Sequence, residues 1–242
     1  MDEINNNINN LISLWEIAGQ KSGSCIINKR YGMSLAKTGD WPNRVWLHSK
    51  LNDQVIQEIR SLKKAVENPI KLSLFETEEE NDSQSAHIEL VSKQTGMNLN
   101  LNEWTVIPFD SVVKLTPVKS PEDSKLWSQL FQQSFGYTID QDTVCALKEE
   151  MTHFVLTFDE KPAGTALLYD TFGTVGIHGI GVIHSMRGKG IAKSAMIQLL
   201  NLSKDLLKAK QAALQASDMA VNLYHELGFK KQFVVKNFQI NS

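Results

Sequence analysis

Apolar residues recur along this chain at two spacings, one typical of helices and one typical of strands. In the first part of the chain, Ile4, Ile8, Leu11 and Trp15 have helical spacing, and short apolar runs follow from Tyr31 onwards. Polar clusters and turn residues separate these runs. The pattern predicts helices over residues 4–19, 55–66 and 85–94, the last stopped by Gly96, and strands over residues 31–37, 44–49, 70–76 and 97–107.

The second part of the chain continues with a longer series of elements. Ser120 followed by Pro121 is a typical helix start, with serine as the N-cap and proline at the first helical position. A long apolar stripe begins at Ile191, directly after a glycine-rich loop. The pattern predicts strands over residues 112–118, 153–158, 164–170, 174–183, 212–217 and 229–238, and helices from residue 121 and over residues 140–151, 191–206 and 219–227.

Both parts contain the order strand, helix, strand, helix, strand, from Arg44 in the first part and at the end of the second. This repetition predicts an internal duplication, with one domain over residues 1–110 and a second over residues 111–242. The mixture of hairpins and strand–helix–strand units predicts an α+β fold with a mixed sheet. Residues 49–52 stand where the second part has its glycine-rich loop, so the first copy would have lost that loop.

The composition narrows the class of protein. Of the 242 residues, 42% are hydrophobic and 21% are charged, and the net charge is -2. A normal globular core is therefore expected, and nothing in the charge indicates nucleic acid or a membrane surface as a partner. Cys25 and Cys145 lack metal-ligand spacing, which predicts a reduced, cytoplasmic protein without a metal site. The N-terminus has no signal-peptide pattern, and no apolar run reaches the roughly 18 residues of a membrane span.

The most informative stretch is HSMRGKGIAKSAM, residues 184–196, where an apolar strand stops and an apolar helix begins. Glycines here let a ligand approach the backbone, and the first N–H groups of a helix have no partner within it. With Arg187 and Lys189 they predict a phosphate site, for which a plain tight turn is the alternative. A P-loop does not fit, because Gly190 stands where Ser or Thr is required. A dinucleotide fingerprint lacks its third small residue at Lys193.

Two motifs carry a resemblance to a known family. Arg187-x-x-Gly190-x-Ala192, between GIHGIGV and IAKSAMIQLL, resembles the pyrophosphate loop of the GNAT acyltransferase superfamily, which reads Arg/Gln-x-x-Gly-x-Gly/Ala. Downstream, LQASDMAVNLYHELGF is similar to the family's strand–helix segment ending in Leu-Tyr-x-x-Leu-Gly-Phe. The resemblance covers roughly the last half of the chain. It implies the GNAT fold with acetyl-coenzyme A as cosubstrate, and a degenerate GNAT-like copy over residues 1–110.

The resemblance also implies roles for individual residues. Tyr224 matches the tyrosine that protonates the leaving thiolate, and Ile180 and Val182 lie on the strand whose main chain contacts the pantetheine arm. Ser217 stands where the family often has asparagine for a further pantetheine contact. The main-chain N–H groups implied to bind the diphosphate belong to Arg187, Gly188, Lys189, Gly190, Ile191 and Ala192.

The general base is less clearly marked. Many relatives place a glutamate on the strand before the loop, but His178 is the only titratable side chain there. Alternation along the strand places His178 on the same face as Ile180 and Val182, and a histidine suits proton transfer near neutral pH. His178 resembles the strand histidine of arylalkylamine acyltransferases. The alternative is a hydrogen-bonded histidine on a packed strand.

Together these features predict an N-acetyltransferase that moves an acetyl group from acetyl-coenzyme A to a primary amine, by direct attack in a ternary complex. A non-catalytic coenzyme A sensor or scaffold, or a protein-interaction module, are the alternatives. The chain ends soon after its sixth strand, so the family's seventh strand must be missing, or come from the N-terminal half or from a partner chain. We expect the N-terminal half to pack against the active domain as part of the acceptor wall, in a monomer or homodimer.

Overall fold

The computed structural model describes residues 3–63, 69–77, 88–109, 112–171 and 173–240. The N-terminal half opens with the long helix α1 (Glu3–Ser22), as the apolar spacing predicts. Strand β1 was not predicted, because it is exposed on both faces and its sequence lacks alternation. The predicted end of the next helix lies outside the described residues. The elements that follow α1 are β1 (Gly23–Ile27), β2 (Tyr31–Ala36), β3 (Arg44–Leu47), α2 (Asp53–Lys63), β4 (Lys71–Glu76) and β5 (Ile88–Asn100).

The C-terminal half follows the predicted series closely. Its first helix starts with the expected cap, since the Ser120 side chain and Asp123 bond each other's backbone N–H groups. The second helix is shorter than predicted and ends at Ala146. The elements of this half are β6 (Val113–Pro117), α3 (Pro121–Phe135), α4 (Gln141–Ala146), β7 (Thr152–Phe158), β8 (Lys161–Thr171), β9 (Thr174–Val182), α5 (Ile191–Asp205), β10 (Gln211–Ala216), α6 (Val221–Glu226) and β11 (Lys230–Ile240).

The two halves share one 11-stranded sheet in the order β1-β2-β3-β4-β11-β5-β10-β9-β8-β7-β6. The β3–β4 and β9–β10 pairs are parallel and the others antiparallel, which confirms the predicted mixed sheet. Strand β5 of the N-terminal half lies between β10 and β11, and β11 lies between β4 and β5. The N-terminal half therefore supplies the strand that the C-terminal half lacks, and each half completes the other.

The helix predicted over residues 85–94 is wrong for its described part. Residues 88–94 belong to β5, which pairs with β11 from Ile88 opposite Ile240 to Asn98 opposite Lys230. Gly96 is not a helix stop: a Cβ atom there would lie 2.4 Å from Cζ of Phe233. The glycine allows the aromatic ring of the neighbouring strand to cover the backbone, which a local sequence pattern does not reveal.

The sheet separates two layers of helices in the C-terminal half. We call the side covered by α1, α3 and α4 the α1–α3 face, where Leu14, Trp127 and Leu167 share a core. We call the other side the α5 face, where α5 and α6 pack on the sheet through Leu199 and Tyr224, among others. The N-terminal helix α1 thus packs on strands of both halves. The predicted packing of the halves is confirmed, and the boundary at residues 110 and 111 stays a prediction.

Candidate functional site

The glycine loop between β9 and α5 has the backbone geometry that its residues predict. Gly188 and Gly190 have φ values of 77° and 74°, in the left-handed region, and Gly190 is the N-cap of α5. A Cβ atom on either glycine would meet nothing within 4 Å. The backbone conformation, rather than crowding, therefore requires glycine here, and the space around the loop is open.

The N-terminus of α5 presents unpaired donors. Within the described residues, the backbone N–H groups of residues 188–193 have no protein acceptor, and Ser194 is the first to donate, to the Gly190 carbonyl at 3.0 Å. No side chain caps the helix, and its first turn has no acidic residue. A helix of this length concentrates partial positive charge at such an end, so the loop is suited to bind an anion.

The corresponding helix N-terminus in the N-terminal half, that of α2, is capped by a side chain. Helix α2 follows the parallel partner strand β3, as α5 follows β9, but the Asn52 side chain accepts the Val55 N–H at 3.0 Å and caps the helix. Asp53 adds a negative charge to the first turn. An anion is therefore disfavoured at α2, in agreement with the predicted loss of the loop from the first copy.

The basic residues of the loop have different tasks. The Arg187 guanidinium donates to the Val182 carbonyl at 3.1 Å and to the Ser134 carbonyl of α3 at 3.0 Å, so it fastens the loop to the body of the protein. Its backbone N–H is also occupied, by the His184 carbonyl. Lys189 is exposed, with Nζ 5.4 Å from the Phe158 ring centroid, and remains able to face an anion.

An opening in the sheet extends along β9 to this loop. Strands β9 and β10 pair only from Thr174 to Gly176, after which β9 continues along β8 and β10 continues along β5. The edge of β9 from Ile177 onwards therefore has no strand partner on the β10 side among the described residues. Ile180 and Val182, the predicted pantetheine contacts, lie on this free edge.

A β-bulge changes the faces of β9. The register between β8 and β9 shifts between Leu167 and Thr165, and Gly179 has a φ of 57°. Before the bulge, Ile177 belongs to the α5-face core, and after it Ile180 and Val182 pack on the same core. His178 instead lies on the α1–α3 face. The expectation that His178 shares a face with Ile180 and Val182 is wrong, because the bulge interrupts the alternation.

His178 is held by α1. Its Nε2 lies 3.1 Å from Oδ1 of Asn10. The Asn10 amide nitrogen donates to the Tyr169 carbonyl at 3.0 Å and to the Thr174 carbonyl at 3.3 Å, so its oxygen must be the acceptor toward the histidine. Nε2 of His178 therefore carries a proton, and Nδ1 is its basic nitrogen. Burial lowers the pKa of His178 to about 4, although the Gln215 side chain raises it, so the ring is neutral near pH 7.

Tyr224 lies on the other side of the opening, in the α5-face core. It is buried, and its ring packs on Phe229 with centroids 5.9 Å apart. Burial raises the pKa of Tyr224 to about 12, so its hydroxyl stays protonated through the physiological range. That hydroxyl has no hydrogen-bond partner among the described residues. The structure therefore places Tyr224 and His178 on opposite faces of the sheet.

Ser217 follows β10 directly and is exposed. Its carbonyl accepts the N–H groups of Ala220 and Val221, which starts helix α6. Its hydroxyl has no partner in the part of the chain that the structure describes. Ser217 is therefore positioned as a short polar group at the mouth of the opening.

Sequence reasoning missed the asparagines of α1. Asn7 and Asn10 are fully buried, and Asn7 donates to the Met97 carbonyl at 2.9 Å and accepts from the Gln215 amide at 2.7 Å. The two residues are three positions apart in an Asn-rich segment, so they lie on one helix face. That spacing was the available signal, and the compositional bias of the segment concealed it.

Among the described residues, no group of His, Cys, Asp and Glu side chains is placed to hold a metal ion. None of the helices in the described part of the chain is both long and apolar enough to cross a bilayer.

Comparison with known proteins agrees with this architecture. The sequence profile of the Acetyltransferase (GNAT) family matches residues 115–229, and no curated protein sequence matches the chain. A GCN5-related N-acetyltransferase from Kribbella flavida superposes with a TM-score of 0.70 at 17% identity, over 98% of this chain and 96% of that one. A GCN5-related N-acetyltransferase from Sphaerobacter thermophilus superposes with a TM-score of 0.61 at 12% identity, over 90% of this chain and 82% of that one.

A tandem GNAT protein from the clavulanic acid biosynthesis pathway also superposes, with a TM-score of 0.54 at 12% identity, over 98% of this chain and 95% of that one. At identities this low, the solved structures show the similarity of the fold alone. They confirm the predicted fold class, a mixed sheet in a tandem arrangement.

Proposed function

We propose that the protein, whose residues 115–229 match the sequence profile of the Acetyltransferase (GNAT) family, transfers an acetyl or similar acyl group from acyl-coenzyme A to a primary amine. The observation that carries this proposal is the open, uncapped N-terminus of α5, where the N–H groups of residues 188–193 have no protein acceptor in the described part of the chain. Unpaired N–H groups at a helix N-terminus are suited to a diphosphate.

In this proposal the coenzyme follows the opening between β9 and β10. Its diphosphate binds the N–H groups of Gly188 to Ala192, with Lys189 adding positive charge. Its pantetheine arm lies along the free edge of β9 at Ile180 and Val182, and Ser217 faces it from just beyond the end of β10. The absence of a strand partner on this edge supports the placement, because an extended amide chain satisfies exposed strand N–H and C=O groups.

The chemistry is a direct transfer. The amine nitrogen attacks the thioester carbon, the new C–N bond forms, and the C–S bond breaks as the tetrahedral oxyanion collapses. The Tyr224 hydroxyl donates its proton to the departing thiolate, and its pKa of about 12 supports this role, since the group is protonated when needed. Cys25 and Cys145 lie outside the glycine loop and β9, so no covalent enzyme intermediate is invoked.

The proton of the attacking amine needs a separate acceptor. His178 presents a neutral ring whose basic nitrogen is Nδ1, and we propose that it receives this proton through water in the opening of the sheet. Its low pKa makes it a weak base that passes the proton on to solvent. The free-amine fraction of the acceptor then controls the rate at neutral pH.

One observation favours a second candidate, a coenzyme A-binding protein that does no chemistry. His178 is engaged by Asn10 on the face opposite Tyr224, as expected of a histidine with a structural role. The two candidates agree on coenzyme binding and differ in thiol release. A protein-interaction module, the third possibility, would not bind coenzyme A.

The first test is titration calorimetry with acetyl-coenzyme A on the wild type and on Gly190→Glu. The variant places a carboxylate at the N-terminus of α5 and should abolish micromolar binding. Gly173→Glu is the matched control, because Gly173 has a φ of 85° and is also in open space, at the other end of β9. Equal binding by the wild type and Gly190→Glu, or no binding by the wild type, would refute the proposal.

The second test separates enzyme from sensor. Thiol release is measured with a panel of primary amines at saturating acetyl-coenzyme A. Release that depends on both amine and enzyme supports the transferase. Binding without release for every amine supports the non-catalytic candidate instead.

A further inference from the structure

The strongest unassigned feature outside the coenzyme site is a pair of cations where the two halves meet. Arg44 begins β3 and Lys71 begins β4, and the two residues are direct partners in the parallel pairing. Arg44 Nη1 donates to Ser73 Oγ at 3.2 Å and to Asn237 Oδ1 at 2.6 Å. Its Cζ lies 5.1 Å from the Trp15 ring centroid. These neighbours are neutral, so they orient the guanidinium without balancing its charge.

Arg44 lacks a carboxylate partner. In the part of the chain that the structure describes, it forms no ion pair, and its Nε is buried without an acceptor. Burial lowers the pKa of Arg44, and the partial burial of the Lys71 side chain together with the charge of Arg44 lowers the pKa of Lys71. A cation taken from water without a counter-ion is costly, and an anion from outside the protein relieves that cost.

The acidic groups nearby leave the pair with a positive charge. Asp40 is the carboxylate that acts on Lys71, but its Oδ2 accepts the Thr138 N–H at 2.8 Å. Among the described residues, Asp40 is the carboxylate that raises the pKa of Lys71, and no carboxylate acts on the pKa of Arg44, so the two cations keep one net positive charge. That charge matches a singly charged carboxylate better than a doubly charged phosphate.

An aromatic cluster connects this pair to β9. Phe135 lies against β9, since a Cβ atom on Gly181 would come within 2.4 Å of its ring. The Tyr137 ring centroid is 6.2 Å from that of Phe135 and 5.9 Å from Nζ of Lys71. Phe135 and Tyr137 are 40% and 37% exposed, so they form an open wall from the free edge of β9 to the cations.

We propose that Arg44 and Lys71 bind the carboxylate of the acceptor, and that the acceptor is an amine whose carboxylate is several bonds away from its nitrogen. This inference rests on the proposed function for the position of the amine at β9. The aromatic wall would contact the apolar middle of such a molecule. An α-amino acid is too short, because two aromatic rings separate the cations from β9.

Paired acceptors test the proposal. Initial rates are measured at saturating acetyl-coenzyme A with glycine, γ-aminobutyrate and ε-aminocaproate, each beside its carboxamide. We expect kcat/KM to rise with chain length among the acids and to exceed that of the matching carboxamide by roughly 10- to 100-fold, as for a charge-assisted hydrogen bond. Equal rates for acid and carboxamide, or no transfer to any of the acids, would overturn the inference.

Substitutions at Arg44 and Lys71 test whether these two side chains cause the preference for the acids. Arg44→Gln should raise the KM for ε-aminocaproate roughly 10- to 100-fold, with little change in kcat or in the KM for its carboxamide. Lys71→Met should act in the same direction, and since Lys71 is exposed it keeps the protein folded. Arg30→Gln is the control, because it removes the same charge from an exposed ion pair with Glu58. An equal rise in the control would count against a carboxylate site at Arg44.

A binding measurement keeps this inference separate from the proposed function. The arginine Nε signals are followed by NMR while N-acetyl-ε-aminocaproate or its carboxamide is added to the whole protein, and Arg44→Gln assigns the signal. A shift of the Arg44 signal with the acid alone supports the site, even if acetyl-coenzyme A fails to bind. No shift, or the same shift with both probes, refutes the site, even if acetyl-coenzyme A binds and reacts.

Discussion

The buried side chain of His153 should make the free energy of unfolding depend on pH in the acid range. It lies on β7, is 2% exposed, and meets the Trp127 ring edge-on with centroids 4.9 Å apart. Its Nδ1 has no partner in the described part of the chain. Burial lowers the pKa of His153 from 6.5 to about 3. The unfolded chain therefore takes up this proton first, and stability falls as the pH drops from about 6.5 toward about 3.

The size of the effect follows from the two pKa values. At about pH 5 the unfolded histidine is mostly protonated and the folded one is not, so His153 lowers the free energy of unfolding by about 2 kcal/mol relative to about pH 8. His178, whose pKa is lowered to about 4, makes a comparable contribution. The wild type should therefore lose about 4 kcal/mol from these two residues over that range.

The perturbation is His153→Phe, which keeps an aromatic ring against Trp127 and removes the titrating group. Urea unfolding at about pH 8 and about pH 5 measures the free energy of unfolding of both proteins. The variant should lose about half as much stability as the wild type from these histidines. His225→Phe is the control, because His225 is exposed on α6. If His153→Phe and the wild type lose the same stability between the two pH values, the burial argument fails.

Three further changes test other parts of the structure. Tyr224→Phe keeps the aromatic ring in the core but removes the hydroxyl. The kcat for acyl transfer should fall roughly 100-fold or more, while the affinity for acetyl-coenzyme A measured by calorimetry stays unchanged. An unchanged kcat would exclude Tyr224 as the acid. Gly96→Ala should lower the free energy of unfolding by about 1–3 kcal/mol, because the added methyl group meets the Phe233 ring. Adding Phe233→Leu to this variant should recover part of the lost stability. No loss of stability in Gly96→Ala would mean that the contact between β5 and β11 is loosely packed. Asn10→Leu should abolish the Nε2–H form of His178 seen by nitrogen NMR, whereas an unchanged spectrum would contradict the assigned tautomer.

Local patterns predicted most of the C-terminal half. The cap at Ser120, the glycines at Gly188 and Gly190 and the apolar stripe of α5 each depend on neighbours within a few residues. Helix starts, positive-φ turns and amphipathic spacing are properties of short segments, so the sequence contains them directly. The family resemblance rested on those same segments, and the family profile and the fold confirm it.

The predictions from sequence that were wrong, or that were missing, concern contacts between segments far apart in the chain. Residues 88–94 have no clear strand pattern, because their place beside β11 is set by pairing with residues more than a hundred positions away. The face of His178 was predicted from simple alternation, and the bulge at Gly179 reversed it. Arg44 and Lys71 carried no motif, since their proximity arises only when β3 and β4 pair.

By itself, the amino-acid sequence determined the helices, most strands and the open loop at Gly190, because short-range geometry and solvation decide such features. Only the tertiary structure decided the exchange of β5 and β11, the partnership of Asn10 with His178, and the meeting of Arg44 with Lys71. The physical reason is that strand register and buried polar contacts are fixed by complementarity between surfaces far apart in the chain. The local sequence permits several such pairings, and packing of the whole molecule selects one.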